Sequence, residues 1–259
     1  MAHTPTQLHT EMGWSKSDKI VVKGYDLPEE LLGNVNLGDM AFLEIMNRLP
    51  TPQESIVINS LLVTLVEHGV TPSALSTRMT ILGAPESLQG AVAAGLLGLG
   101  NVFVGTIEGS AKMLQEALAD TPDDVDLEAL AQEIVAEFSK TRAIIPGIGH
   151  NVHKPVDPRT PRLFAIATEQ GFSGRNIALM QAIQQEAERR YNRVLPINAT
   201  GAIGAVASEL GLPWQVCRGL GVMARAVGLV GHILEEMRHP MAKEIWYRVE
   251  DEATDHMRD

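Results

Sequence analysis

The chain has 259 residues, 45% of them hydrophobic and 20% charged, with a formal net charge of −11, 23 glycines, 11 methionines and 4% aromatics. That suits one large globular domain, or one domain with a smaller one inserted, and enough apolar residues to bury a sizeable core. The acidic balance excludes a general nucleic-acid surface, which needs a basic stripe, so an anionic ligand would require a local positive pocket.

Cys217 is the single cysteine; it excludes an internal disulfide framework and suits a reducing compartment. The opening M-A-H-T-P-T-Q-L-H-T is polar and lacks the apolar stretch of a secretory signal. With the residues up to about 18 it reads as a polar tail. No window reaches membrane-spanning length without a charged or polar interruption, so a soluble, cytoplasmic protein is expected. Residues 21–30, V-V-K-G-Y-D-L-P-E-E, predict two small strands and a turn. Asp39 is expected to cap a helix through A-F-L-E-I-M-N-R-L that stops near Pro50 and Pro52. Residues 54–67 are apolar on nearly every side, which predicts a buried helix. His68-Gly69 ends it, and Thr71-Pro72-Ser73 opens another with proline in its first turn.

Residues 88–104 are rich in Gly and Ala, which suggests tight helix–helix contact; 109–118 are helical again. The acidic segment D-T-P-D-D-V-D at 120–126 reads as a linker and a helix start. Amphipathic helices are expected over 127–140, 160–170 and 173–191. Leu195-Pro196 breaks the pattern, and 201–210 and 214–237 form the closing apolar helices. No repeat and no low-complexity run stands out. Alternating strand patterns are almost absent, so the fold class is all-α with small β additions.

Five places carry candidate chemistry. At 146–159, P-G-I-G-H-N-V-H-K-P-V-D-P-R, Gly147, Ile148 and Gly149 precede His150, and His153, Lys154 and Arg159 follow. A glycine loop exposes backbone N–H groups that suit a phosphate or an adenine edge. His150 can exchange a proton with a hydroxyl near neutral pH, and Arg159 can grip a carboxylate with its fork. The alternative is a surface loop with scattered cations. His68, at the end of a buried helix, is either functional or a C-capping histidine. Arg225 lies within the apolar G-V-M-A-R-A-V-G-L-V-G-H, where a charge is costly unless paired, so an internal acid or an anionic ligand must satisfy it. Arg218, Arg225 and His232 are spaced by seven and share a helix face. Glu108 in G-T-I-E-G-S-A-K has Lys112 four residues on, the spacing of an exposed ion pair, although the apolar lead-in N-V-F-V-G argues against full exposure. Asn198 and Thr200 in P-I-N-A-T-G can cap the following helix. No metal-ligand spacing, Walker A loop or G-x-S-x-G elbow is found.

In order along the chain, these segments resemble the citrate synthase superfamily, and within it the citryl-CoA lyase branch. V-E-H-G-V-T-P-S-A resembles its first histidine segment, and V-G-T-I-E-G-S-A-K the lyase branch's Gly-Gly-Ala-Leu-Asp-Ala-Ala-Ala-Lys. The stretch 146–159 is close to the signature Gly-x-Gly-His-x-Val…Asp-Pro-Arg. I-N-A-T-G resembles Asn-Val-Asp-Gly, M-A-R-A-V-G-L-V-G-H the buried arginine helix, and R-H-P the C-terminal arginine. G-Y-D-L-P-E-E-L with R-L-P-T-P-Q-E resembles the family's N-terminal opening, so the resemblance covers residues 24–247.

The resemblance implies a large helical domain from 1–119 and 197–259, a smaller inserted helical domain at 120–196, and a cleft between them. It implies an acyl-CoA and an oxo acid as ligands, coenzyme A as the substrate thioester, no metal, and a homodimer or higher homo-oligomer with no membrane or nucleic-acid partner. His68 would hold a substrate carboxylate or hydroxyl, and His150 the tertiary hydroxyl and its proton. Arg159, Arg225 and Arg238 would bind carboxylates, Arg238 by crossing to the partner's site. Gly147, Ile148, Gly149 and Lys154 would lie near coenzyme A. Thr200 stands where the family has the aspartate that moves the proton on the acyl carbon, and a threonine is no base near neutral pH. The expected reaction is retro-aldol cleavage of citryl-CoA or a related 3-hydroxy-3-carboxyacyl-CoA. His150 takes the hydroxyl proton, and either a protonated Glu108 or water held by Thr200 and Asn198 protonates the enolate. Condensation in the reverse direction and a catalytically silent CoA-binding homologue are the alternatives.

Overall fold

A computed structural model describes residues 8–258. The chain divides into two units, Met1–Asn59 and Ser60–Asp259.

In the first unit, β1 (Gly13–Ser15), β2 (Ile20–Val22) and β3 (Tyr25–Asp26) form an antiparallel sheet in the order β1-β2-β3. Trp14 lies opposite Val21, and Val22 opposite Tyr25. The hairpin of β2 and β3 falls where the sequence predicts it, turning on Lys23 and Gly24 at φ +49° and +88°. β1 lies in the stretch read as polar tail; its residues are all exposed, so backbone pairing to β2 rather than side-chain burial defines it. Helix α1 (Leu37–Met46) is capped by Asn36, three residues earlier than expected. Asp39 sits inside the first turn and reaches back, one oxygen accepting from Asn36 N at 3.0 Å and the other from Ser55 Oγ at 2.6 Å. Arg48 grips Glu54 through two hydrogen bonds of 2.6 and 2.8 Å, and that guanidinium holds the carboxyl at about 2. Helix α2 (Pro52–Val66) runs from this unit into the second, and Ile56 and Val63 on it are exposed, so it is not buried all round.

The second unit is helical: α3 (Pro72–Gly83), α4 (Leu88–Leu97), α5 (Gly105–Leu118), α6 (Leu127–Thr141), α7 (Arg159–Glu169), α8 (Arg175–Tyr191), α9 (Ala199–Glu209), α10 (Trp214–Arg238) and α11 (Ala242–Thr254). Thr71 caps α3 and Asp126 caps α6, as the sequence signals. α4 ends at Leu97, seven residues before the predicted 104, and a turn over 98–104 leads into an α5 that begins earlier than expected. α11 is missing from the sequence reading, whose last helix ended at residue 237. Its apolar residues Ile245, Val249 and Ala253 recur every four positions.

The core is built around α9, whose residues from Gly201 to Ser208 are all buried and which packs on α5, α7 and α8. α10 packs on α3, α4 and α5. By length and composition alone it could cross a membrane, contrary to the sequence expectation; half of its apolar window is buried inside the protein.

Candidate functional site

The site grows from a seam of three loops at the N-terminus of α9. Gly149 N donates to Pro196 O at 2.7 Å and Asn198 N donates to Gly147 O at 3.0 Å, so residues 147–149 pair with 196–198 as a short antiparallel bridge. Thr160 Oγ1 donates to Ile197 O at 2.8 Å, which ties in the start of α7. Asp157, wholly buried, completes the seam. One oxygen accepts from Ala199 N at 2.9 Å, and the carboxylate grips Arg159 through Nε at 2.9 Å and Nη2 at 2.7 Å. Burial would raise the Asp157 pKa, but Arg159 and the two backbone N–H groups overcome it and hold it at about 2.

This changes two readings. The glycine loop does not hold its amides open for a phosphate: Gly149 N is bonded to Pro196 and Ile148 N to Ile145 O at 3.2 Å. Arg159 does not present a free fork, because Asp157 fills it from the same loop.

Above the seam stand three imidazoles. The His68 ring lies 6.3 Å from His150 and 5.9 Å from His153, and those two are 4.4 Å apart, centroid to centroid. Burial lowers the pKa of His68, and Arg159, His153 and Arg225 lower it further. Burial and then His153 lower that of His150. His150 Nδ1 accepts two backbone N–H groups, from Val152 at 3.0 Å and His153 at 2.9 Å. A nitrogen that accepts carries no hydrogen, so the neutral ring has its hydrogen on Nε2 and meets a ligand as a donor. The sequence expectation that His150 takes up a hydroxyl proton does not suit that tautomer. One nitrogen from each ring lies within 4.8 Å of the others, close enough to share an ion, a grouping that sequence spacing missed. The backbone bonds to His150 Nδ1 and the nearby charges of Arg159 and Arg225 oppose a cation there.

Arg225 of α10 is the remaining member. It is 9% exposed and its Nη1 is buried with no hydrogen-bond partner among the described residues. Burial lowers its pKa, and Glu67 raises it in part. Of the two ways to satisfy this charge, the internal acid is absent as a hydrogen-bond partner.

Other candidates lie elsewhere. Glu108 pairs with Arg218 Nε at 2.7 Å, and Arg218 also holds Asn101, while Lys112 pairs with Glu116. The structure therefore gives Glu108 an ion pair across α5 and α10, neither the isolated protonated carboxyl of a proton donor nor a pair with Lys112. Thr200 Oγ1 donates to Asn198 Oδ1 at 2.6 Å and lies 2.9 Å from Thr106 Oγ1; Asn198 also caps α9 through Gly201 N at 3.0 Å. Lys154 is exposed. Arg238, exposed at the end of α10, is thirteen residues from Arg225. At 1.5 Å per residue that is about 20 Å, beyond the reach of its own side chain. Burial pushes the Cys217 thiol up to about 12, so it is no nucleophile.

The sequence reading missed Arg78 and gave no role to Glu67 or His232. Arg78 is 1% exposed and bonds His232, Glu235 and Glu236; His232 bonds Glu67. Its signal was an arginine inside the otherwise uncharged helix S-A-L-S-T-R-M-T-I-L. Beside the seam, a cavity of about 410 Å³ is lined by Arg142, Ile144, Ile148, Tyr191, Arg193 and Leu195, among others.

Residues 34–248 match the family described as citrate synthase, C-terminal domain. A probable ATP-citrate synthase of Dictyostelium discoideum is 24% identical over 91% of this chain and 39% of its own length. A putative citrate synthase 2 of Mycobacterium tuberculosis is 24% identical over 82% of this chain and 56% of its own. The chain thus spans roughly two fifths to just over half of these relatives. Among solved structures, citryl-CoA lyase from Hydrogenobacter thermophilus superposes with a TM-score of 0.81 at 33% identity, covering 90% of this chain and 88% of that one. ATP citrate lyase from Methanothrix soehngenii, in complex with citrate and coenzyme A, superposes with a TM-score of 0.75 at 21% identity, over 92% of this chain and 40% of that one, a likeness of fold.

Proposed function

Because the chain belongs to the citrate synthase family, we propose that it is an acyl-CoA carbon–carbon lyase, cleaving citryl-CoA or a related 3-hydroxy-3-carboxyacyl-CoA to an acyl-CoA and an oxo acid. The observation that carries this reading is Arg225. A guanidinium buried with an unpartnered Nη1, its charge felt by His68 of the imidazole cluster, is costly in the free protein. A substrate carboxylate supplies the missing partner. The likeness to a citryl-CoA lyase over most of both chains supports the cleavage direction.

In this reading Arg225 holds a carboxylate of the leaving oxo acid. The part of Arg159 that Asp157 leaves open assists it. His150 Nε2–H donates to the oxygen that is hydroxyl in the acyl-CoA and carbonyl in the oxo acid, stabilising the charge that develops there. His68, kept neutral by burial and by the cations around it, takes the hydroxyl proton. The carbon–carbon bond breaks and its electron pair forms the enolate of the thioester. Water held at Thr200 and Asn198 protonates that carbon, since Glu108 is engaged by Arg218, and the proton held by His68 passes to the hydroxide left behind, restoring the water and the neutral imidazole. Condensation is the same path reversed. The cavity beside Ile148, with Arg142, Arg193 and Tyr191 on its wall, suits the phosphates and adenine of coenzyme A.

The test is turnover of a panel of 3-hydroxyacyl-CoA thioesters, followed by mass spectrometry, for the wild type and Arg225→Leu. Cleavage of a carboxylated member is expected. The variant should lose about 100-fold or more in kcat/KM, the scale of a buried charge partner. Its melting temperature should not fall, because the change removes an unpaired charge. Coenzyme A binding without turnover of any thioester would select the catalytically silent homologue.

A further inference from the structure

A second polar chain reaches the imidazole cluster through the residue that precedes His68. It starts at α2's end. Glu67 folds back over its own turn, Oε1 accepting the backbone N–H of His68 at 2.9 Å and of Gly69 at 2.5 Å. The same carboxylate lies 3.1 Å from His232 Nε2. On the far side of that ring, Nδ1 receives Arg78 through Nε at 3.2 Å and Nη2 at 3.0 Å. Arginine only donates, so Nδ1 accepts, the ring hydrogen is on Nε2, and His232 donates to Glu67. Arg78 is in turn fixed by Glu236 at 2.8 Å and by Glu235. Glu236 also accepts the backbone N–H of Met241 at 2.9 Å and Ala242 at 2.8 Å, at the start of α11.

The backbone is pinned at the same place. A Cβ on Gly228 would stand 2.0 Å from Val66 O, so α10 presses directly on the residue before Glu67. Arg225, Gly228 and His232 are spaced three and four apart, one face of α10. That face carries the unpartnered cation, the contact with α2's end and the grip on Glu67. None of Arg78, His232 or Glu67 has a part in the chemistry described above.

We propose that His232 is a positioning residue: through Glu67 it holds the His68–Gly69 turn, and Arg78 fixes the tautomer that lets it do so. This rests on the reading of His68 as the base, and what it adds is that α10 aligns that base with its own carboxylate-binding Arg225. A shift of the turn by about 1 Å misplaces the base while leaving Arg225 where it is, which predicts loss of kcat with little change in KM.

The experiment uses the full chain, with His232→Ala and His232→Gln, each checked for folding by melting temperature. Glutamine offers an amide N–H to Glu67 and an oxygen to Arg78, so it should keep kcat within about fivefold. Alanine should lower kcat by about 30-fold or more with KM within about threefold. In a His68→Ala background His232→Ala should have no further effect, because what it positions is gone. Nitrogen-15 spectra of the histidines should show the His68 signals moved by His232→Ala and those of His150 unmoved. That measurement needs no turnover, so it tests the positioning even where the proposed reaction fails. Additive losses in the double variant, or His68 signals unmoved by His232→Ala, would overturn the proposal.

Discussion

His150 shows how much one residue's chemistry depends on its neighbours. The side chain titrates near 6.5 in isolation. Here two backbone amides occupy Nδ1, and protonation would set an N–H against two others. Burial acts in the same direction, and on His68 the charges of Arg159 and Arg225 join it. Both rings therefore stay neutral to a lower pH than 6.5 in the folded state, while in the unfolded chain they take up protons below 6.5. The sign follows: as pH falls through 6.5 the unfolded state binds more protons, so these groups withdraw stability. We expect the acid limb of kcat/KM for thioester cleavage to lie below pH 6.5, with melting temperature declining over the same window. An acid limb above that value would show that neither imidazole is held neutral.

Among the elements, α9 decides where the site stands. It is buried throughout the run from Gly201 to Ser208, and its N-terminal residues receive all three loops of the seam. The loop 146–149 fits only because Gly147 lacks a side chain. Its φ is +83°, and a Cβ there would meet Gly201 Cα at 2.4 Å. Gly147→Ala therefore combines a left-handed backbone with a backbone clash, and we expect a loss of about 3 kcal/mol in unfolding free energy. Denaturant unfolding measures it; a change under about 0.5 kcal/mol, the scatter of surface substitutions, would mean that the seam is not held as described. The glycines that read as an open phosphate cradle are thus packing residues, and the residue of this loop that lines the neighbouring cavity is Ile148.

At the scale of the whole chain, α10 has two apolar faces with different duties. The inner face carries Arg225, Gly228 and His232. Opposite it, Met223, Val227, Val230, Leu234 and Met237 are all more than a third exposed and recur with alternating spacings of four and three. Spacing of that kind is what helix–helix seams use. It is also why the helix passes for a membrane span. With Arg238 at its end and out of reach of its own cluster, the stripe leads us to propose that a second copy of the chain packs here, as the family resemblance implies. Leu234→Glu should convert a dimer to a monomer in analytical ultracentrifugation and lower turnover with it. A dimer that survives the charge would place the interface elsewhere.

Sequence by itself determined the class and the cast. Helical periodicity, caps at Thr71 and Asp126 and the order of the motifs sufficed for an all-α member of this family, and they singled out His68, His150, Arg159 and Arg225. These are local signals, written in consecutive residues, and local physics reads them. What each residue does was decided by contacts between segments far apart in the chain. Arg159 turned out to be engaged by Asp157, Glu108 by Arg218 across 110 positions, and His232 by Arg78 across 154. The stretch 146–159 that looked like a ligand cradle is a stitched seam, tied through Gly149 N and Gly147 O to residues some fifty positions on and through other amides to its own neighbours. A polar group's role is set by which partner is within 3 Å of it, and that distance exists only once the helices have packed.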